Sequence, residues 1–186
     1  MNIANKISLF RILSVPVFIA CLHYSSEHAS LRLVAFFVFV IAVFSDAIDG
    51  YIARKTKQKS KAGLVLDPLA DKLLLLSAFV VLYLMKEISF WVILIVITRD
   101  ALILIGSIVI YIVKQEINVY PSWWGKFTTM FQMLFVSIVL LQWPLIADKV
   151  LLLAVAFTVI SGADYLRRGF NILYVQDSAA KNQKNA

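Results

Sequence analysis

The sequence is poor in the side chains that build disulfide frameworks, zinc sites and nucleophile–base pairs. It contains one cysteine, Cys21, and two histidines, His23 and His28. A single cysteine excludes an internal disulfide framework, and its place inside an apolar run favours a packing role. The histidines flank a loop without partner ligands nearby, so we expect them to be solvated. The sequence also offers no obvious Cys–His or Ser–His arrangement that would indicate a protein nucleophile.

Charge of either sign is scarce as well. Charged residues make up 16% of the 186 positions and hydrophobic residues 61%, with a mean hydropathy of +0.86. These values exclude an ordinary soluble domain, and several apolar runs approach the ~20 residues needed to cross a bilayer. We predict an all-α polytopic membrane protein with one six-helix domain over 1–175 and a polar tail over 176–186. The six predicted transmembrane spans are 7–24, 31–53, 64–85, 88–113, 128–145 and 149–172.

The basic residues follow a topological pattern. The net charge is +7, and twelve lysines and arginines lie at one set of span ends against three at the other. Because lysine and arginine concentrate on the cytoplasmic side of membrane proteins, we predict that both termini and the loops 54–63 and 114–127 are cytosolic. Topology and attraction to anionic lipid headgroups then explain the surplus charge, and we expect no nucleic-acid partner.

Four aspartates lie among the apolar runs, where a membrane protein should least tolerate charge: Asp46, Asp49, Asp67 and Asp71. An ionised side chain in or near the hydrocarbon is costly and persists mainly when it binds something. The first two are spaced i,i+3 and the last two i,i+4, so each pair projects from one helix face. Two such pairs facing each other would form an all-oxygen cage, which suits Mg²⁺ or Mn²⁺. We therefore predict a divalent-metal site at the cytosolic edge of the membrane.

Single members of this set also have simpler interpretations. Asp67 precedes Pro68 and could cap a helix, and Lys72 could pair with a carboxylate. These alternatives suit one aspartate alone but give no reason for four in this pattern. Nearby, Gly50 would let a bulky ligand approach the backbone, and Arg54 could offer a bidentate fork to a pyrophosphate.

The stretch from Asp46 to Asp71 reads D-x2-D-G-x2-A-R-x8-G-x3-D-x3-D and resembles the signature of the CDP-alcohol phosphotransferase family, with every fixed position filled. The resemblance implies a six-helix enzyme that transfers a phosphatidyl group from CDP-diacylglycerol to an alcohol and releases CMP. It implies two divalent cations, Mg²⁺ or Mn²⁺, held by the four aspartates, with Asp71 as general base. It also implies a homodimer among lipids of the bacterial cytoplasmic (inner) membrane, with a cytosolic active site.

The same resemblance assigns the CDP-lipid contacts. Residues that match Gly50, Arg54 and Ser60 contact the CDP-linked lipid in the family. Ala53 and Gly63 complete our candidate set, because Ala53 extends the small surface beside Gly50 and Gly63 would permit a turn before the third span.

The acceptor alcohol is indicated by a second resemblance. Four segments resemble the branch of the family that uses glycerol 3-phosphate, namely 2–11, 63–72, 125–132 and 161–165. That acceptor is anionic and needs a basic pocket, for which the candidates are Arg99, Lys126, Arg11 and Arg167. Arg99 falls mid-span and could instead pair with Asp100 or form a helix-to-helix salt bridge. Lys126 could equally be a positive-inside anchor.

Two other functions remain open from the sequence. The glycerol 3-phosphate branch usually follows the mid-span arginine with glutamate, whereas this chain has Arg99-Asp100, a pair also seen in eukaryotic-type cardiolipin synthases. The acceptor would then be phosphatidylglycerol. A small ion-coupled transporter is the alternative from another class, since intramembrane acids are common in transporters. The clustering of the aspartates at one edge and the lack of broken spans in corresponding halves disfavour it.

Overall fold

The computed structural model describes residues 3–56, 63–114 and 122–171. Within these ranges the chain forms six α-helices, one short 3-10 helix and no strand. The helices are α1 (Ile3–His23), α2 (Ala29–Thr56), α3 (Gly63–Leu84), α4 (Phe90–Lys114), α5 (Trp123–Leu140) and α6 (Pro144–Phe170), with the 3-10 turn at Tyr24–Ser26. The all-α prediction is confirmed, and each predicted span falls on one of these helices.

The described helices have the composition of a membrane protein. Three segments are long and apolar enough to cross a bilayer: Leu9–Ser26, Phe90–Ile110 and Pro144–Phe170. Two shorter apolar helical segments are Ala29–Ser45 and Lys72–Leu84. Large apolar side chains also cover the outer surface, including Ile112 at 69% and Leu152 at 73% exposed. Because lipid tails solvate such side chains as well as a protein core does, the chain is an integral membrane protein.

The chain divides into two compact units. The first consists of Met1–Ser89 and Met133–Asp148, and the second of Phe90–Gln132 and Lys149–Ala186. In the first unit α1 packs against both α2 and α3. Phe18 of α1 meets Phe39 of α2 with ring centroids 5.7 Å apart, and all of Phe18, Leu22, Ala35 and Phe39 are buried. Helices α2 and α3 are thus both anchored on α1.

In the second unit α5 and α6 are joined by polar contacts as well as by aromatic rings. Phe157 of α6 stacks on Phe131 of α5 with centroids 4.9 Å apart. Gln132 Nε2 donates a hydrogen bond to Thr158 Oγ1 at 3.0 Å, and Thr128 Oγ1 lies 2.9 Å from the Phe157 carbonyl. Such buried interhelical bonds are a main source of helix association where lipid removes the hydrophobic drive.

Arg32 ties three helix ends together in the first unit. Its guanidinium donates two hydrogen bonds to Glu87, at 2.7 and 2.6 Å, and a third to the Val139 carbonyl at 2.9 Å. Glu87 also completes the end of α3, since its N–H reaches the Leu82 carbonyl and Lys86 adopts φ 61°. The start of α2 is therefore fixed to the ends of α3 and α5.

The last two helices begin earlier than the sequence predicts. The predicted fifth and sixth spans are 128–145 and 149–172, whereas α5 is Trp123–Leu140 and α6 is Pro144–Phe170. Ser122 caps α5 by accepting the Gly125 N–H at 3.0 Å. Gln142, with φ 58°, reverses the chain after α5, and Pro144 occupies the first position of α6. The turn therefore precedes the predicted one by several residues.

Candidate active site

The aspartate stretch covers the end of α2 and the beginning of α3. Asp46 and Asp49 lie on α2, and Asp67 and Asp71 lie on α3. The structure describes the backbone at these four positions and not their side chains. The backbone is helical at both pairs, as the prediction of one shared helix face for each pair assumes. Ser60, in the predicted 54–63 loop, lies outside the described residues.

Helical register brings the remaining candidate positions onto the same faces. On α2 one face carries 46, 49, 50 and 53, and Arg54 follows Gly50 by one turn. On α3 one face carries 63, 67 and 71. The carboxylate positions and the small positions therefore coincide on each helix, which is the arrangement needed for a bulky ligand to reach the predicted metal ligands.

The start of α3 removes one of the simpler interpretations of Asp67. Helix α3 begins at Gly63, so Asp67 lies more than one turn inside it and does not occupy the N-cap. Pro68 accordingly lies in the second turn of α3. Capping of α3 therefore does not explain Asp67. The donor set remains four carboxylates, and hard oxygen ligands of this kind fit Mg²⁺ or Mn²⁺.

Arg99 is the centre of a polar cluster in the second unit. Its side chain is 11% exposed, and Nη1 lies 2.6 Å from Asp100 Oδ1. Nη2 donates to Ser161 Oγ on α6 at 3.0 Å. The buried Nε has no hydrogen-bond partner among the described residues. The arginine thus pairs with its neighbour and bridges two helices, and it keeps one buried donor for another acceptor.

Glycines flank this guanidinium on two helices. A Cβ atom added at Gly125 of α5 would lie 3.2 Å from Arg99 Nη2, and one added at Gly162 of α6 would lie 3.8 Å from Arg99 Cγ. A Cβ at residue 125 would therefore crowd the guanidinium, whereas one at residue 162 would make an ordinary van der Waals contact, and both positions face Arg99 from their helices. Both glycines fall in segments that carry the resemblance to the glycerol 3-phosphate branch, 125–132 and 161–165.

The other acceptor candidates have different surroundings. Lys126 is exposed, with Nζ 4.7 Å from the centroid of the Trp123 ring. Arg167 is exposed in the last turn of α6. Arg11 is fully buried in the first unit, where its Nε donates to the Ala42 carbonyl at 3.3 Å. Arg99 combines burial with two polar partners, Asp100 on its own helix and Ser161 on α6.

Sequence reasoning missed a neighbouring contact between α4 and α6. Tyr165 Oη lies 3.1 Å from Ser107 Oγ. A Cβ atom at Gly106 would lie 2.6 Å from the Tyr165 ring, so α4 accommodates the tyrosine only because residue 106 is glycine. The available signal was the spacing of Arg99 and Gly106, which are i,i+7 and share a helix face.

Comparisons with known proteins identify the family of the chain. A family model described as CDP-alcohol phosphatidyltransferase matches residues 1–160. A probable phosphatidylglycerophosphate synthase of Mycobacterium tuberculosis is 34% identical over 173 residues, covering 90% of this chain and 81% of the relative. A CDP-diacylglycerol–glycerol-3-phosphate 3-phosphatidyltransferase of Bacillus subtilis is 32% identical over 190 residues, covering 92% and 97%. A protein of the same name from Haemophilus influenzae is 33% identical over 141 residues, covering 72% of each chain. The chain belongs to the CDP-alcohol phosphatidyltransferase family.

Proposed function

We propose that this protein transfers the phosphatidyl group of CDP-diacylglycerol to glycerol 3-phosphate, giving phosphatidylglycerophosphate and CMP. The observation that carries the proposal is the complete aspartate signature on the ends of two consecutive helices, in a chain of this family. The names of the relatives support glycerol 3-phosphate as the acceptor, and the Bacillus subtilis relative is matched over 97% of its length.

The four aspartates hold two divalent cations, Mg²⁺ or Mn²⁺, in this proposal. When bound, these ions supply Lewis-acid stabilisation of the pyrophosphate and of the leaving CMP. Gly50 and Ala53 leave room for the nucleotide against α2, and Arg54 offers its planar fork to the pyrophosphate. Ser60 and Gly63 complete the candidate contacts to the CDP-linked lipid.

Asp71 acts as general base on the acceptor hydroxyl. It takes the hydroxyl proton while the oxygen forms a bond to the phosphorus that carries diacylglycerol. The bond from that phosphorus to the bridging oxygen breaks, and CMP leaves. Direct attack of this kind needs no covalent intermediate with the protein.

Arg99 holds the phosphate of glycerol 3-phosphate. The support is the buried Nε, which has no hydrogen-bond partner among the described residues and can donate to an anionic oxygen. Lys126 follows Gly125 directly and adds positive charge, with Arg167 and Arg11 as the remaining candidates. Phosphatidylglycerol, the acceptor of the cardiolipin synthase alternative, has no terminal phosphate at the attacking end and would gain less from Arg99.

The proposal includes six membrane spans, with both termini and the active site on the cytosolic side of a bacterial cytoplasmic membrane. The distribution of twelve basic residues against three supports this orientation. We also propose a homodimer, on the family resemblance.

The decisive experiment measures CMP release by the purified protein in detergent with CDP-diacylglycerol and Mg²⁺. Glycerol 3-phosphate, phosphatidylglycerol, inositol phosphate and serine are compared as acceptors, with Asp71→Asn as the blank. Release that depends on glycerol 3-phosphate supports the proposal, and release only with phosphatidylglycerol assigns the cardiolipin synthase reaction. No metal-dependent release with any acceptor would contradict both and favour the transporter alternative.

A further inference from the structure

Arg11 is a cation in the interior of the first unit. Its side chain is 0% exposed, and its Nε donates to the Ala42 carbonyl of α2 at 3.3 Å. A backbone carbonyl satisfies a donor but does not neutralise a charge. A guanidinium removed from water requires a carboxylate close by, because an uncompensated buried ion is strongly destabilising.

The carboxylates of the first unit can be sorted by position. Glu87 is bound to Arg32, and Glu27 and Asp148 are exposed. Glu27 also follows the far end of α1, whose last residue lies about 18 Å from Arg11 along the helix axis. The four remaining acidic residues of the unit are the aspartates of α2 and α3, the two helices that pack on α1.

Two of these aspartates continue the helix face that Arg11 contacts. Asp46 lies one turn beyond Ala42 and Asp49 two turns beyond it, about 6 and 10 Å along α2. The contact at Ala42 therefore places the Arg11 charge beside the aspartate-bearing end of α2. Four carboxylates brought together as ligands of one metal site would repel one another, and a buried cation beside them would offset part of that repulsion.

We propose that Arg11 is a positioning residue for the candidate metal site, an internal counter-cation that balances the aspartates when no metal is bound. The inference rests on the proposed function, since the aspartates are metal ligands only within it. A cation that stabilises the metal-free carboxylates competes with divalent ions for them. By linkage, Arg11 therefore supports the metal-free fold and at the same time weakens metal binding.

The test compares Arg11→Gln with Arg11→Lys and with Arg32→Gln. Arg32 is the matched control, because it is a part-buried arginine of the same unit about 21 Å from Asp46 along α2 and is paired with Glu87. The Tm of each purified protein in detergent is followed across a MnCl2 titration, with a thiol-reactive dye on Cys21 reporting unfolding. Electron paramagnetic resonance of free Mn²⁺ gives the binding curve independently, and CMP release is recorded in parallel.

Arg11→Gln should have a lower Tm than wild type without metal and a larger Tm rise with Mn²⁺. Its half-saturating Mn²⁺ concentration should fall about five-fold or more, the range of an ordinary coupling between two sites. Arg11→Lys keeps the charge and should titrate like wild type. For Arg32→Gln, the decrease in Tm relative to wild type should be the same with and without Mn²⁺.

An equal Tm loss at all Mn²⁺ concentrations, or weaker Mn²⁺ binding in Arg11→Gln, would overturn the inference. If Arg11→Gln folds only poorly, purification with Mn²⁺ throughout should rescue it, because the metal supplies the missing charge. Failure of that rescue while Arg11→Lys folds also counts against the inference. If the wild-type protein releases CMP but Arg11→Gln has the same Mn²⁺ titration as wild type, the inference alone is rejected. If the wild-type protein neither binds Mn²⁺ nor releases CMP, the proposed function is rejected together with the inference.

Discussion

At the scale of single residues, the cost of charge in a membrane is the most informative property of this chain. That cost alone distinguishes the four aspartates and Arg99 from the apolar residues around them. The sequence could not identify Ser161 as the partner of Arg99, because the two residues are 62 positions apart and only the packing of α4 on α6 joins them. It also left two alternatives to substrate contact for Arg99, the pair with Asp100 and a salt bridge between helices. The structure contains the pair, whereas the contact to α6 is a hydrogen bond to the neutral Ser161.

Asp71 provides the first prediction at this scale. We expect Asp71→Asn to lower kcat about 10²–10⁴-fold, because it removes a general base and keeps the size of the side chain. Asp67→Ala should also remove activity, but through metal binding. The measurement is CMP release together with the Mn²⁺-dependent rise in Tm. Asp71→Asn should retain more of that rise than Asp67→Ala, and the reverse order would contradict the role of Asp71 as base.

Arg99 provides the second prediction at the scale of single residues. We expect Arg99→Gln to raise the KM for glycerol 3-phosphate about 10–100-fold, since a charge-assisted bond to a phosphate contributes roughly 1.5–3 kcal/mol. The KM for CDP-diacylglycerol should not change. Arg168→Gln is the control, because Arg168 is half exposed and paired with Asp164 on its own helix. Equal effects of Arg99→Gln on both KM values would indicate a structural role for Arg99 and not acceptor binding.

At the scale of helices, apolar runs predict where each helix exists better than where it ends. They put the turn between the fifth and sixth spans at 146–148, whereas the chain turns at 141–143. The physical reason is that Gln142 adopts the left-handed conformation that glycine usually signals, so no glycine marks the turn. The start of α5 is set by the Ser122 cap, a short-range contact that lies outside the apolar run.

The packing of α5 on Arg99 leads to a prediction about Gly125. Gly125→Ala should raise the KM for glycerol 3-phosphate several-fold, because the added Cβ lies 3.2 Å from Nη2 of an arginine already held by Asp100 and Ser161. Stability should stay within about 1 kcal/mol of wild type, since the gain in helix propensity offsets a weakened hydrogen bond.

Gly169→Ala is the matched control for Gly125→Ala. Gly169 is also helical, on α6, but nothing lies within 4 Å of the position of its added Cβ. This variant should raise Tm slightly through propensity alone and leave both KM values unchanged. The measurements are the two KM values, from steady-state kinetics, and the Tm of both variants, from thermal unfolding. An unchanged KM for glycerol 3-phosphate in Gly125→Ala would contradict the prediction that packing around Arg99 affects acceptor binding.

At the scale of the whole molecule, sequence and structure agree on an all-helical integral membrane protein. The aspartate signature is sufficient to indicate the family, because its spacing is local and does not depend on tertiary packing. Three helices meet the length and composition for a span among the described residues. Of the other three, α2 and α3 carry the aspartates toward one end and α5 carries Thr128 and Gln132 along its length. Packing as well as composition therefore sets how far each enters the bilayer.

The orientation of the chain can be tested with single cysteines in a Cys21→Ser background. Ser89 is exposed in the turn between α3 and α4, and Lys59 belongs to the 54–63 loop that the basic residues assign to the cytosol. In intact bacterial cells from which any outer membrane has been permeabilised, a membrane-impermeant maleimide should label Ser89→Cys and spare Lys59→Cys. Inside-out vesicles should give the opposite pattern. Labelling of Lys59→Cys from outside would place the aspartate ends of α2 and α3 away from cytosolic CDP-diacylglycerol headgroups and glycerol 3-phosphate, and would contradict the proposed topology and reaction together.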